Sequence, residues 1–193
     1  MITMNAIQWP KKWIPGETDN FVSNEVIIIG AAKAGALLIL AAGEKEVVAQ
    51  LKPVFAHLGS QTFYLGKVGQ GMRAKLSINS LLAQMGVAYS EALLLAKHLG
   101  VDAELFLQII GQSGMNSSLF QAKKGMWLQD SYPAAFSLKL MLKDIRLANN
   151  EAGEAIELPF LFKAQELYSQ AEKSGLGTLD MAAVYRYLEK GEH

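Results

Sequence analysis

The sequence predicts a mostly α-helical protein, in which a small α/β unit precedes a helical domain with one long central helix. Two observations carry this prediction. Short β-branched or leucine-rich runs lie before residue 66, and helical spacing of apolar residues dominates after Gly71. Hydrophobic residues make up 51% and charged residues 19% of the 193 residues, which is enough apolar area for a packed core.

The α/β unit is predicted from four successive segments. The runs VIII at 26–29 and LLIL at 37–40 are typical of strands buried on both faces. Residues 44–58 carry one apolar stripe with helical spacing, and Pro53 inside it is expected to kink or split the helix. TFYL at 62–65 completes a unit of strand, strand, helix and strand.

The helical domain begins with residues 72–99, which contain no proline and would form a helix of about 40 Å. This segment is apolar around much of its circumference, so it is expected to be central and buried. Asp102 is a predicted helix cap, and Asn116 or Ser117 is another. Further helices are predicted at 103–111, 117–128, 136–155, 159–174 and 179–190. The predicted organisation is an irregular arm at 1–25, an α/β unit at 26–70 and a helical domain at 71–193.

Composition and charge argue against several classes of partner. Lysine plus arginine equals aspartate plus glutamate at 18 each, so no bulk field attracts nucleic acid or an anionic membrane. The apolar run 26–43 is interrupted by Lys33 and contains three glycines, which favours two short strands over a membrane span. There is no cysteine, and the three histidines have no metal-motif spacing, so no metal site is predicted. The first residues lack a secretory pattern, and a cytoplasmic location is expected.

The stretch 66-GKVGQGMRAKLSIN-79 has two interpretations. Residues 69–74 fit G-x-G-x-x-A after a predicted strand, as in a turn that holds a dinucleotide pyrophosphate. That interpretation requires a second strand soon after the helix, whereas the predicted helix continues to residue 99. In the other interpretation, Lys75 and Asn79 share one helix face. A lysine in a cleft of low dielectric can transfer protons. The spacing alone favours the other explanation, in which Lys75 reaches solvent and Asn79 makes a structural hydrogen bond.

Several motifs occur together in a characteristic order. The pattern G-x-V-G-x-G-x-x-x-K-x-x-x-N, the segment 133-PAAFSLKLMLKDIRLA-148 and the C-terminal run from Leu158 to Leu188 resemble the β-hydroxyacid dehydrogenases. This family includes 3-hydroxyisobutyrate dehydrogenase, tartronate semialdehyde reductase and the glyoxylate/succinic semialdehyde reductases. The resemblance covers residues 30–190 and implies a helical domain like the C-terminal domain of 6-phosphogluconate dehydrogenase.

The resemblance implies hydride transfer, dependent on NAD or NADP, between a small 3-hydroxy acid and its semialdehyde or keto form. By it, Lys75 is the general acid/base at the substrate oxygen. Asn79 and Phe136 contact the substrate, Lys143 reaches the nicotinamide end of the cofactor, and Asp144 holds the polar network of the substrate site. From the residues alone, Lys143 and Asp144 can equally form a surface ion pair near Arg146.

The sequence departs from the family in two places. The family opens with a dinucleotide-binding half that begins with a strand and a G-x-G-x-x-G turn, and no such half precedes residue 26. The family also has a P-V-S-G substrate loop, whose serine position falls on Val26 here. Ser23 is the nearest serine that could contact a substrate, three residues away.

Three functions follow from these observations. The first is the catalytic and dimerisation domain of an NAD(P)-dependent β-hydroxyacid dehydrogenase, expected to be inactive alone for lack of the cofactor-binding half. The second is a non-enzymatic truncated homologue that forms a homodimer or binds a small hydroxy or keto acid. The third is a helical scaffold without a ligand. Apolar surface left on strands without their cofactor half would favour association.

Overall fold

A computed structural model describes residues 24–29 and 37–191 of the chain. The described residues form two compact units that divide between Val68 and Gly69. Residues 1–23, which include Ser23 and nearly all of the predicted arm, lie outside the described residues. The first strand begins at Glu25.

The first unit is a three-stranded sheet with one helix. Strands β1 (Glu25–Ile29), β2 (Leu38–Ala42) and β3 (Gln61–Tyr64) are hydrogen-bonded in this order. Strand β1 is antiparallel to β2, and β2 is parallel to β3. Helix α1 (Lys45–Leu58) connects the parallel pair, as parallel strands require a crossover connection. The predicted elements are therefore all present, with ends shifted by a few residues.

The core of this unit lies between β2 and α1. Ile39 and Ala41 of β2 and Val48 and Phe55 of α1 are buried against one another. Burying such side chains stabilises the unit by roughly 1.5–3 kcal/mol for each large residue. Of the kink or split expected at Pro53, the split is wrong, because α1 continues through Pro53 to Leu58.

The second unit consists of helices and their connecting loops in its described residues, with one isolated β-bridge between Ser137 and Asp180. Two of its predicted caps are present: Asp102 Oδ1 accepts a hydrogen bond from Leu105 N at 2.9 Å, and Ser117 Oγ accepts one from Phe120 N at 3.0 Å. Of the two predicted cap candidates, Asn116 and Ser117, it is therefore Ser117 that caps the helix starting at Ser118. The helices are α2 (Gln70–His98), α3 (Ala103–Gln112), α4 (Ser118–Gln129), α5 (Leu138–Ala152), α6 (Pro159–Ala171) and α7 (Val184–Lys190).

Helix α2 packs against α5, α6 and α7, and the buried core of the unit lies among them. A Cβ atom at Gly86 of α2 would lie 2.8 Å from Tyr168 Oη and 2.8 Å from Met181 Cε, so glycine allows close packing there. Tyr168 is fully buried, and this burial raises the pKa of its hydroxyl far above the usual range.

The last predicted helix, 179–190, is divided into two parts. Asp180 Oδ1 accepts a hydrogen bond from Ala182 N at 3.1 Å, and this contact caps a short 3₁₀ turn at Met181–Ala183. Helix α7 follows from Val184. The side chain of Asp180 thus sets a later start for the helix than apolar spacing alone predicts.

Candidate active site

Helices α2 and α5 bring together three of the predicted site residues. Lys75 and Asn79 lie one turn apart on α2, and both point to Asp144 of α5. Asn79 Nδ2 donates a hydrogen bond to Asp144 Oδ2 at 2.7 Å, and Lys75 Nζ lies 3.2 Å from the same oxygen. The Asp144 side chain is only 2% exposed, and these two contacts offset the cost of burying its charge.

The second carboxylate oxygen of Asp144 has a different environment. Lys143 Nζ lies 3.4 Å from Asp144 Oδ1, yet this oxygen accepts no hydrogen bond from any described residue. Lys143 therefore interacts with this oxygen through its charge and not through a hydrogen bond, because 3.4 Å is longer than an ordinary N–H···O bond. The cluster therefore contains two ammonium groups around one carboxylate, with one acceptor oxygen still available for a donor.

Exposure distinguishes the two lysines and tests the alternative interpretations of the sequence. The Lys75 side chain is 24% exposed, whereas that of Lys143 is 58% exposed. Lys75 is thus held against Asp144 instead of extending freely to solvent. Lys143 and Asp144 do form an ion pair, but it is not the surface pair of the alternative interpretation, because Asp144 is only 2% exposed. The neighbouring Arg146 lies 3.9 Å from Glu172.

Phe136 stands apart from this cluster. It is half-buried two residues before α5 begins and packs against the core of the helical unit. Along the helix axis it precedes Asp144 by about two turns. The structure therefore joins Lys75, Asn79, Lys143 and Asp144 in one cluster and places Phe136 at the start of the helix that carries two of them. Ser23 is not among the described residues.

Lys123 and Asp180 form a buried ion pair, and Asp180 also accepts a hydrogen bond from the backbone amide of Phe136. Lys123 Nζ lies 2.7 Å from Asp180 Oδ1 and 2.8 Å from Asp180 Oδ2, with side chains 7% and 0% exposed. An aspartate before an apolar run is a recognisable cap signal. Its partnership with a lysine 57 residues earlier has no local signal in the sequence.

A long helix with a lysine–asparagine pair, packed against a helix with a Lys–Asp dipeptide, is the arrangement that the resemblance to the β-hydroxyacid dehydrogenases implies. Residues 69–188 match the family described as NAD-binding of NADP-dependent 3-hydroxyisobutyrate dehydrogenase. The chain belongs to this family, which uses NAD(P) as its cofactor. The matched residues coincide with the helical unit.

Individual relatives support this assignment. The chain is 40% identical over 154 residues to glyoxylate/succinic semialdehyde reductase 1 of Arabidopsis thaliana, covering 79% of this chain and 53% of the relative. It is 33% identical over 159 residues to the chloroplastic glyoxylate/succinic semialdehyde reductase 2 of the same plant, covering 82% and 44%. The chain thus spans about half the length of these relatives.

A solved structure shows the same fold. The 3-hydroxyisobutyrate dehydrogenase from Salmonella typhimurium superposes with a TM-score of 0.79 at 22% identity, covering 84% of this chain and 59% of that one. In the described part of this chain, no helix is both long and apolar enough to cross a bilayer. Because one relative is chloroplastic, the cytoplasmic location stays a prediction.

Proposed function

We propose that the helical unit supplies the acid/base and substrate-contacting residues of an NAD(P)-dependent hydroxyacid dehydrogenase. The substrate is a small 3-hydroxy acid or the corresponding semialdehyde or keto acid. One observation carries the proposal: the ammonium of Lys75 is held beside Asn79 by the buried carboxylate of Asp144. A proton donor held in place next to an amide that can hold an oxygen is what reduction of a carbonyl requires.

Each residue has a role in the proposed reaction. Lys75 donates a proton to the carbonyl oxygen of the substrate during reduction and takes it back during oxidation. Asp144 orients the ammonium through a charge contact at 3.2 Å, and Asn79, which donates to the same carboxylate, contacts the substrate oxygen. The two ammonium groups outnumber the single carboxylate, so the cluster attracts the carboxylate of an acid substrate. Phe136 lines the apolar side of the substrate.

The family's cofactor supplies the hydride when it is bound. Lys143 fits a place at its nicotinamide end, because its ammonium is largely exposed while it borders the Lys75 cluster through Asp144. The described residues offer no corresponding site for the pyrophosphate of the cofactor. The glycines at 69–71 open a helix of 29 residues that leads to further helices instead of a second parallel strand. We therefore expect this chain alone to bind NADPH or NADH weakly.

Ligand binding by the 193-residue chain tests the proposal without requiring turnover. Succinic semialdehyde, taken from the name of the relatives, serves as the probe in ligand-detected NMR. We expect binding that Lys75→Met abolishes and Lys97→Met preserves. Lys97 is the matched control, since it lies on the same helix and also pairs with a carboxylate, that of Glu189. Equal binding by wild type and Lys75→Met would contradict the role of Lys75.

A non-enzymatic module that associates with a second copy is the competing proposal. It is supported by large apolar side chains that the described chain leaves exposed: Phe160 is 79% and Phe162 58% exposed on α6. Such surfaces commonly mark association. Light scattering and NADPH titration separate the proposals. A stable dimer without binding of NADPH or succinic semialdehyde would favour the module, and a monomer that binds NADPH would exclude it.

A further inference from the structure

The segment before α5 is fixed by the buried carboxylate of Asp180. Asp180 Oδ2 accepts hydrogen bonds from Ala135 N at 3.0 Å and from Phe136 N at 3.2 Å. Its Oδ1 accepts one from Ala182 N at 3.1 Å, and Lys123 Nζ lies within 2.8 Å of both oxygens. One side chain with no exposed surface thus joins three backbone amides and a cation.

Backbone hydrogen bonds reinforce the same junction. Met181 N donates to Phe136 O at 2.9 Å, and Leu138 N donates to Leu179 O at 2.8 Å. Both backbone polar groups of Phe136 are therefore bonded to the Asp180–Met181 segment. The ring of Phe136 takes its position from this backbone, because only two side-chain torsions lie between them.

We propose that the Lys123–Asp180 pair is the positioning element of the candidate site. It fixes the backbone of Phe136 and the first turn of α5, and through them the apolar wall that faces the substrate. Asp180 itself contacts neither Lys75 nor Asp144, so it acts through Phe136 and is not a catalytic residue. This inference rests on the proposed function for the role of Phe136, whereas the positioning itself needs no ligand.

The physical reason is that four donors converge on one buried carboxylate. Asparagine in its place keeps one acceptor oxygen and turns an NH₂ group toward donors that were satisfied before. One amide oxygen cannot serve both the Ala135 and Phe136 amides and the Ala182 amide as the two carboxylate oxygens do, and a buried ammonium loses its counter-charge. Local order at Phe136 should fall even when the helical unit remains folded.

The test places 4-fluorophenylalanine at position 136 and records ¹⁹F NMR spectra of the full 193-residue chain. We expect one sharp resonance with Asp180 and a broadened or second resonance in Asp180→Asn. Asp130→Asn is the matched control, because it removes the same charge from another aspartate pair of the helical unit, that with Arg186. The control should keep one sharp resonance at the original shift.

Two outcomes would overturn the inference: a folded Asp180→Asn variant with the original sharp resonance, or equal broadening in the Asp130→Asn control. Circular dichroism establishes folding for each variant. If Asp180→Asn does not fold, Lys123→Met decides, since it leaves the three backbone donors in place. Intermediate broadening in Lys123→Met supports the inference, and an unchanged resonance refutes it. Because no ligand is present, failure here is distinct from failure of the succinic semialdehyde binding test.

Discussion

Replacement of Lys75 by methionine should destabilise the helical unit. Methionine matches the aliphatic length of lysine but leaves Asp144 Oδ2 with Asn79 as its hydrogen-bond donor and Oδ1 with the charge of Lys143. Removing one partner of a fully buried ion pair costs about 3–5 kcal/mol. Since Lys75 is 24% exposed and Lys143 stays nearby, we expect a smaller loss of about 1–3 kcal/mol.

A double-mutant cycle isolates the interaction between Lys75 and Asp144. The variants are Lys75→Met, Asp144→Asn and their combination, and urea unfolding is followed by circular dichroism at 222 nm. We expect a coupling energy of about 1–2 kcal/mol, since the two groups are in direct contact. For a chain of this length, each 1 kcal/mol corresponds to about 2–4 °C in Tm.

Unchanged or increased stability of Lys75→Met would refute this reasoning. It would mean that the ammonium is held at an energetic cost instead of being stabilised by Asp144. A coupling energy near zero would lead to the same conclusion. Lys97→Met is again the comparison, because its partner Glu189 is 39% exposed and the loss should stay below about 1 kcal/mol.

Three further predictions concern the helical unit. Gly86→Ala should lower stability by about 1–3 kcal/mol in urea unfolding, because its Cβ would overlap the buried Tyr168 hydroxyl; no loss would show that the packing can relax. Asp102→Ala should cost about 0.5–2 kcal/mol through the lost cap of α3, measured in the same way, with no change arguing against that cap. The hydrogen bond from Arg186 holds the pKa of Asp130 below its usual range, so this contribution is complete above about pH 4 and is lost as pH falls through the folded pKa. Wild type should therefore lose up to about 1 kcal/mol more than Asp130→Asn on acidification below pH 4, and parallel acid-unfolding curves would contradict this.

Local patterns account for what the sequence predicts well. Apolar spacing identifies α2 over nearly its whole length, and the cap at Asp102 follows from residue type and position. Ser117 was one of two candidates for the cap of α4, and the structure decided between them. The same spacing missed the division between Asp180 and α7, since a side-chain hydrogen bond competes there with helix continuation. Helix ends are determined by individual contacts more than by periodicity.

Part of the candidate site could likewise be found from the sequence. Lys75 and Asn79 are predicted to share a face because they lie four residues apart on one helix. Their common partner, Asp144, was named from the family resemblance, but its role as acceptor for both side chains comes from the packing of α2 against α5. The choice between a surface pair of Lys143 and Asp144 near Arg146 and a buried cluster depends on exposure, which the order of residues does not encode.

The sequence by itself determined the identity of the helices and strands, the lysine–asparagine pair and the family resemblance, because all of these depend on neighbours close along the chain. Only the tertiary structure decided that Asn79 donates to Asp144, 65 residues away, and that Lys123 is buried against Asp180, 57 residues away. Such pairs form where packed helices remove polar and charged side chains from water. Each buried group then has the other as its remaining partner. That selection is a property of the packed core and not of any local pattern.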